Sequence, residues 1–120
     1  MHNGVIARLG LPLHYVPVDL PPGHLRGFLR IVRAGNFLGG NVTIPYKEEA
    51  AALADTRSEA VEVCGAANTL VVRGGKLHAE NTDGAGFLDA LEAVGWGRRF
   101  RRVVLLGAGG AARGIGFALG

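Results

Sequence analysis

A stretch near the end of the chain decides the fold, and it reads Val103-Val104-Leu105-Leu106-Gly107-Ala108-Gly109-Gly110-Ala111-Ala112. Its four apolar residues predict a buried strand, and the glycines after them match the G-x-G-x-x-G/A pattern of a dinucleotide-binding turn. The helix that follows such a turn offers unpaired N–H groups to phosphates. A glycine-rich turn without a ligand is the alternative. The strand before the turn and the helix after it favour the start of a Rossmann-type nucleotide-binding domain.

The residues beyond this turn bear on what the chain does alone. A parallel strand needs a crossover and a second strand beside it. The position that separates NAD from NADP lies about 20 residues past the motif. We expect the second strand and the position that separates the two cofactors to lie beyond Gly120. We therefore expect the chain to be an internal segment of a longer protein, to which the function belongs, and to be inactive by itself.

The composition of the 120-residue chain is that of a globular protein with a formal charge of +3. Its 20 glycines do not recur at a regular spacing. The basic run Arg98-Arg99-Phe100-Arg101-Arg102 could form a nucleic-acid patch, but the rest of the chain carries no basic stripe, which favours a solvated linker. No apolar run is long enough to span a membrane. The single cysteine, Cys64, fits a reducing compartment and a small buried side chain. We expect a cytoplasmic protein without nucleic-acid or membrane partners.

The part before the basic run, residues 1–97, predicts an α/β domain with a short mixed sheet. Helices are predicted where apolar residues recur at helical spacing and strands where β-prone residues run together. The predicted helices cover 3–9, 21–34, 45–53, 57–63 and 82–95, and the predicted strands cover 13–18, 37–43, 69–72 and 77–80. The last two strands flank Gly74-Gly75, a pair typical of a hairpin turn. Residues 98–120 are assigned to the nucleotide-binding domain.

Two residues at predicted helix starts suggest proton transfer. Lys47 lies just past Pro45, and Asp83 begins a later helix. A lysine beside a carboxylate can take up and release a proton. Nothing local brings the two together, so a surface lysine paired with Glu48 or Glu49 and a plain N-cap remain the alternatives. The four histidines show no metal-ligand spacing, and we therefore expect no metal site.

Four motifs resemble those of the shikimate dehydrogenase family and occur in the family's order. They read Gly40-Asn41-Val42-Thr43-Ile44-Pro45-Tyr46-Lys47, Gly65-Ala66-Ala67-Asn68-Thr69, Asn81-Thr82-Asp83-Gly84-Ala85-Gly86-Phe87 and Gly107-Ala108-Gly109-Gly110-Ala111. The resemblance implies reversible NADPH-dependent reduction of 3-dehydroshikimate to shikimate, in the biosynthesis of chorismate and the aromatic amino acids. A quinate/shikimate dehydrogenase with looser substrate and cofactor choice, NAD included, is the nearest alternative, and an inactive fragment is another. A homodimer is a further expectation.

The resemblance also implies roles for individual residues. Lys47 would be the catalytic acid/base and Asp83 its paired carboxylate, both bonded to the substrate hydroxyl that is oxidised. Thr43 and Asn68 would bind the other ring hydroxyls. The pyrophosphate of the cofactor would be held by Gly107, Ala108, Gly109, Gly110 and Ala111. Glu59 would either contact the cofactor or be a solvated helix residue.

The chain also departs from the family pattern. The family begins with a strand and a Ser-x-Ser pair that grips the substrate carboxylate, and neither occurs in this sequence. Met1-His2-Asn3 resembles the run that follows that pair. Ala79 occupies a position where the family often has glycine. Most of the nucleotide-binding domain, and a later helix that returns to the substrate domain, are also absent from the sequence.

Overall fold

The computed structural model describes residues 2–97 and 102–120, which form six helices and four strands. Of the basic linker predicted over residues 98–102, residues 98–101 lie outside the described residues. In chain order the elements are α1 His2–Arg8, α2 Leu25–Ala34, β1 Gly39–Asn41, α3 Lys47–Leu53, β2 Thr56–Arg57, α4 Glu59–Cys64, β3 Thr69–Arg73, β4 Lys76–Glu80, α5 Asp83–Ala93 and α6 Gly110–Leu119.

The strands form one mixed sheet in the order β1-β3-β4-β2. The pairs β1–β3 and β3–β4 are antiparallel, and β2 lies parallel to β4. Because paired residues of neighbouring strands share a face, Asn41 and Glu80 lie on the same side of the sheet as Thr69, which pairs with both. This row of polar residues leads to the ends of the strands where Lys47 and Asp83 begin their helices.

The opposite face of the sheet is apolar and packs against α2, α3 and α4. Strand alternation places Leu70, Leu77 and Ala79 on this face, where all three are buried. The helices contribute the other main members of the core, which are Leu25, Leu29, Val32, Ala50, Ala51 and Val61. The apolar face of the helix predicted over 21–34 is therefore confirmed. The helix itself begins only at Leu25, because Gly23 has a φ of 81°, outside the helical region.

The predicted hairpin is also confirmed, with its turn at Gly74 and Gly75. Both glycines have positive φ, at 56° and 74°, and a two-residue hairpin turn of this hand requires that conformation. Cys64 is buried, as expected, and Gly65 ends α4 in the left-handed conformation.

Several sequence predictions of secondary structure are wrong. Residues 13–18 form no strand, because Pro17 lacks an N–H and Asn3 bonds both backbone polar groups of Tyr15 through its side chain, each at 2.8 Å. The strand predicted over 37–43 is limited to Gly39–Asn41. The helix predicted over 57–63 begins only at Glu59, since Thr56 and Arg57 pair with β4 as β2.

The stretch Val103–Leu106 runs without a strand ladder among the described residues and leads directly into α6. All four of its side chains are exposed, so the prediction of a buried strand here is wrong. A parallel strand forms only where a neighbouring strand supplies hydrogen-bond partners, and none of the four strands of the sheet pairs with this stretch. The glycine-rich turn is followed by a helix, as predicted. This helix, α6, packs against α4 and α5.

Candidate active site

The candidate site centres on an ion pair between the first residues of two helices. Lys47 Nζ donates a hydrogen bond to Asp83 Oδ2 at 2.6 Å. The side chains are 16% and 24% exposed, so the pair is largely shielded from bulk water. Removing either partner from such a pair leaves a poorly solvated charge behind. The structure thus brings together Lys47 and Asp83, the pair that the family resemblance implied.

Asn68 contacts the same carboxylate from the other side. Its Nδ2 donates to Asp83 Oδ1 at 2.7 Å and to Thr82 Oγ1 at 3.0 Å. Its Oδ1 accepts the Thr82 N–H and the Thr69 hydroxyl, both at 3.0 Å. Both oxygens of Asp83 are therefore held by donors, which fixes the direction in which the carboxylate faces.

A buried asparagine fixes the backbone at the start of α5. Asn81 Oδ1 accepts the Asp83 N–H at 3.0 Å, and its Nδ2 donates to the Ala66 carbonyl at 2.9 Å. Asn81 is 8% exposed. Buried amides are stable only when both ends are bonded, as here. Asn81 consequently joins the turn after α4 to the helix that begins with Asp83.

Thr43 lies apart from this cluster of hydrogen bonds. It is exposed on the loop between β1 and α3, where its carbonyl accepts the Tyr46 N–H at 3.0 Å. The Ile44–Pro45 peptide bond that follows is cis. The threonine lines a largely apolar cavity of about 390 Å³. Phe28 and the segment 14–20, which includes Tyr15, also line it. Lys47, Asn68 and Asp83 do not line this cavity.

The N-terminus of α6 lies close to the aliphatic stem of Lys47. A Cβ added to Gly110 would lie 2.6 Å from Ala66 Cβ and 3.9 Å from Lys47 Cβ and Cδ. Further along, Gly84 of α5 faces Gly114 so tightly that an added Cβ would lie 2.4 Å from the Gly114 carbonyl oxygen. An ion pair between Arg113 and Glu48 joins α6 to α3. Small residues therefore set how close α6 lies to Lys47.

The turn before α6 is exposed and shaped for an anion. Gly107 has a φ of 116°, which favours glycine, and nothing lies within 4 Å of a Cβ built on Gly107 or Gly109. The Arg113 N–H donates to the Gly109 carbonyl, which closes the first turn of α6. The preceding amides of the helix have no acceptor inside it, and such amides at a helix N-terminus can bind an anion. The geometry thus fits a pyrophosphate.

Glu59 begins α4 and is exposed. It makes no salt bridge among the described residues. No three His, Cys, Asp or Glu side chains in residues 2–97 and 102–120 come together in a way that could hold a metal ion. Within the same ranges, no helix has the length and hydropathy needed to cross a membrane.

Sequence reasoning missed the residues that support the ion pair. Asn41, Thr69 and Asn81 all belong to the quoted motifs, but no role was assigned to them. The signal was available in part, because polar residues at strand ends point to a site at that edge of the sheet. Which of these residues bond each other depends on the register of β1, β3 and β4, which only the structure supplies.

Comparison with known proteins shows the family of the chain. Residues 1–70 match the family model of the shikimate dehydrogenase substrate binding domain, which is more than half of the chain. The mixed sheet with its packed helices, together with this match, defines an α/β domain of the substrate-binding type. The chain belongs to the shikimate dehydrogenase family, as the motifs led us to expect.

Individual relatives are similar over nearly the whole chain. The shikimate dehydrogenase (NADP(+)) of Rubrobacter xylanophilus is 46% identical over 99% of this chain and 42% of its own length. The shikimate 5-dehydrogenase of Thermus thermophilus in complex with shikimate gives a TM-score of 0.91 at 42% identity, over 98% of this chain and 45% of that one. The same enzyme in complex with NADP(H) and shikimate gives 0.85 at 40% identity, over 98% and 44%. The chain therefore spans less than half the length of these relatives.

Proposed function

We propose that the gene product that carries this segment catalyses the reversible NADPH-dependent reduction of 3-dehydroshikimate to shikimate. The observation that carries the proposal is the 2.6 Å pair between Lys47 and Asp83, set beside the N-terminus of α6. The names of the relatives add support, since the Rubrobacter protein is a shikimate dehydrogenase (NADP(+)) and the Thermus enzyme was crystallised with NADP(H) and shikimate.

In this proposal Lys47 handles the proton. Reduction of a ketone adds a hydride to carbon and a proton to oxygen, and NADPH supplies the hydride when it is bound. The Lys47 ammonium has three N–H donors. One of them goes to Asp83, which leaves two to bond the substrate oxygen and protonate it. Asp83 holds the ammonium in place and stabilises its charge, and in the reverse direction Lys47 takes the proton back.

The remaining site residues bind the two small molecules. Asn68 would hold a ring hydroxyl, in place of the exposed Thr82 hydroxyl to which its Nδ2 now donates. Thr43 would hold another, from the exposed loop that ends at Lys47. Gly107, Ala108, Gly109, Gly110 and Ala111 would hold the pyrophosphate, for which their exposed turn and the free amides of α6 are suited.

We further propose that residues 1–97 belong to the substrate domain and 98–120 to the nucleotide-binding domain. Glu59 would contact the cofactor, because it begins α4 and α4 packs against α6. The single buried cysteine and the use of NADPH favour a cytoplasmic location.

The test is a substrate and cofactor panel on the purified gene product. Shikimate and quinate are each supplied with NADP⁺ and with NAD⁺, and the reduced nicotinamide is followed by absorbance. We expect turnover of about 1–10³ s⁻¹ with shikimate and NADP⁺ and much lower values for the other three pairs. Equal turnover of quinate would replace the proposal with a quinate/shikimate dehydrogenase. No turnover of either acid would contradict it.

A further inference from the structure

A chain of side-chain hydrogen bonds runs across the polar face of the sheet and ends at Asp83. The Tyr15 hydroxyl donates to Asn41 Oδ1 at 3.2 Å, and Asn41 Nδ2 donates to Thr69 Oγ1 at 3.3 Å. The Thr69 hydroxyl donates to Asn68 Oδ1 at 3.0 Å, and Asn68 Nδ2 donates to Asp83 Oδ1 at 2.7 Å. Every donor points toward the carboxylate, so each bond polarises the next in the same sense.

Thr69 is the link that the fold places most firmly. It is the first residue of β3 and pairs with Asn41 on one side and with Glu80 on the other. Its hydroxyl has one proton, and the Asn41 N–H on its lone pair directs that proton to Asn68 Oδ1. The same oxygen accepts the Thr82 N–H at 3.0 Å, and the Thr82 hydroxyl lies 3.3 Å from it. The carboxamide of Asn68 is thus held with its N–H groups toward Asp83.

We propose that Thr69 is a positioning residue, which acts through Asn68 to orient Asp83 and the substrate hydroxyl. The proposal rests on the proposed function, because it assigns Thr69 a part in that reaction. Thr69 itself makes no hydrogen bond to Lys47 or Asp83. Its effect on turnover must therefore disappear when the side chain of Asn68 is removed.

The kinetic test compares Thr69→Val, Thr69→Ser and a control. Valine has nearly the shape of threonine and suits a strand but lacks the hydroxyl, whereas serine keeps the hydroxyl. Thr56→Val removes a different hydroxyl from the same sheet, one that bonds His78. We expect Thr69→Val to lower kcat/KM for shikimate about fivefold, which is the change in rate that corresponds to the loss of one typical hydrogen bond. KM for NADP⁺ should stay unchanged, and Thr69→Ser and Thr56→Val should behave as the unaltered protein.

A double-mutant cycle decides whether the effect passes through Asn68. In an Asn68→Ala background, Thr69→Val should cause no further loss of kcat/KM for shikimate. Additive losses, a changed KM for NADP⁺, or a Thr69→Ser variant as impaired as Thr69→Val would each overturn the proposal. If Thr69→Val does not fold, Thr69→Ala takes its place in the same cycle.

A second measurement works without any activity. In the 120-residue chain labelled with ¹⁵N, the side-chain amide resonances of Asn68 should move in Thr69→Val and stay in place in Thr69→Ser and Thr56→Val. Unmoved resonances in Thr69→Val would overturn the proposal. If the gene product turns over no substrate, the proposed function fails. The side-chain amide resonances of Asn68 then show by themselves whether Thr69 orients Asn68.

Discussion

Lys47 and Asp83 are 36 positions apart in the sequence, yet their charged atoms lie 2.6 Å apart in the structure. The intervening chain makes this contact possible by folding back on itself. The Ala67 N–H donates to the Lys47 carbonyl at 2.8 Å, and the Asn68 N–H donates to the Glu80 carbonyl at 3.1 Å. These backbone bonds place the first residues of α3 and α5 side by side.

The first prediction concerns the charge of Asp83. Asp83→Asn keeps the shape of the side chain but leaves the shielded Lys47 ammonium without its counter-charge. We expect the free energy of unfolding of the 120-residue chain to fall by about 1–3 kcal/mol and kcat of the gene product to fall sharply. Urea unfolding and steady-state kinetics measure the two effects.

The control for this change is Asp89→Asn, at an exposed aspartate of the same helix. An exposed substitution should alter the free energy of unfolding by no more than about 0.5 kcal/mol. If Asp83→Asn were as stable and as active as Asp89→Asn, the ion pair would have no part in either property.

The second prediction concerns the crossing of α5 and α6 at Gly84. A Cβ at this position would lie 2.4 Å from the Gly114 carbonyl oxygen and 2.7 Å from Ala118 Cβ. We therefore expect Gly84→Ala to force the helices apart and to cost about 1–3 kcal/mol of unfolding free energy. Unfolding in urea, followed by circular dichroism, gives the value.

Gly86 provides a matched control two residues further along α5. Nothing lies within 4 Å of a Cβ built there. Alanine is the better helix former, so Gly86→Ala should stabilise the chain by about 0.5–1 kcal/mol. Equal effects of the two substitutions would mean that α5 and α6 do not pack as described.

The third prediction concerns the acid sensitivity of the fold at Asp55. Its carboxylate accepts the Leu77 N–H at 2.7 Å and a hydrogen bond from Arg33 at 2.5 Å. The backbone bond from Leu77, followed by Arg33, holds the pKa of Asp55 below its ordinary value of 3.8. Because the pKa is lower in the folded state, this carboxylate stabilises the fold above pH 3.8, and the contribution is lost as the pH falls through the lowered pKa.

The variant Asp55→Asn tests this dependence by thermal unfolding. The unaltered chain should have the higher Tm at about pH 7, and the difference should shrink as the pH falls to about 2.5. A difference in Tm that stayed constant over this range would show that the charge of Asp55 contributes nothing to stability.

Local features of the sequence were enough to predict several elements. The Gly74-Gly75 pair between two β-prone runs predicted the hairpin, and apolar spacing predicted the buried face of α2. Elements whose formation depends on a distant partner could not be predicted in this way. The stretch 13–18 has the composition of a strand but no ladder, and Thr56–Arg57 forms a strand only because β4 lies beside it.

In the candidate site, too, local features could be predicted from the sequence and contacts with distant residues could not. Lys47 and Asp83 could be picked out as residues able to exchange a proton, but their contact depends on tertiary structure. The resemblance to a family proposed the pairing, and the structure contains it. The contacts of the Thr69 hydroxyl could not be predicted from the sequence, because they depend on its cross-strand neighbour Asn41 and not on the residues next to it in the chain.

The most direct test of the account is the turnover of the Lys47→Met gene product. Methionine keeps the apolar stem that lies beside Gly110 and removes the ammonium. We predict that kcat for NADPH-dependent reduction of 3-dehydroshikimate falls by about 10²–10⁴-fold, while KM changes far less. Lys76→Met, at the exposed hairpin turn, should leave kcat unchanged. A Lys47→Met protein with the kcat of the Lys76→Met control would contradict the assignment of Lys47 as the proton donor.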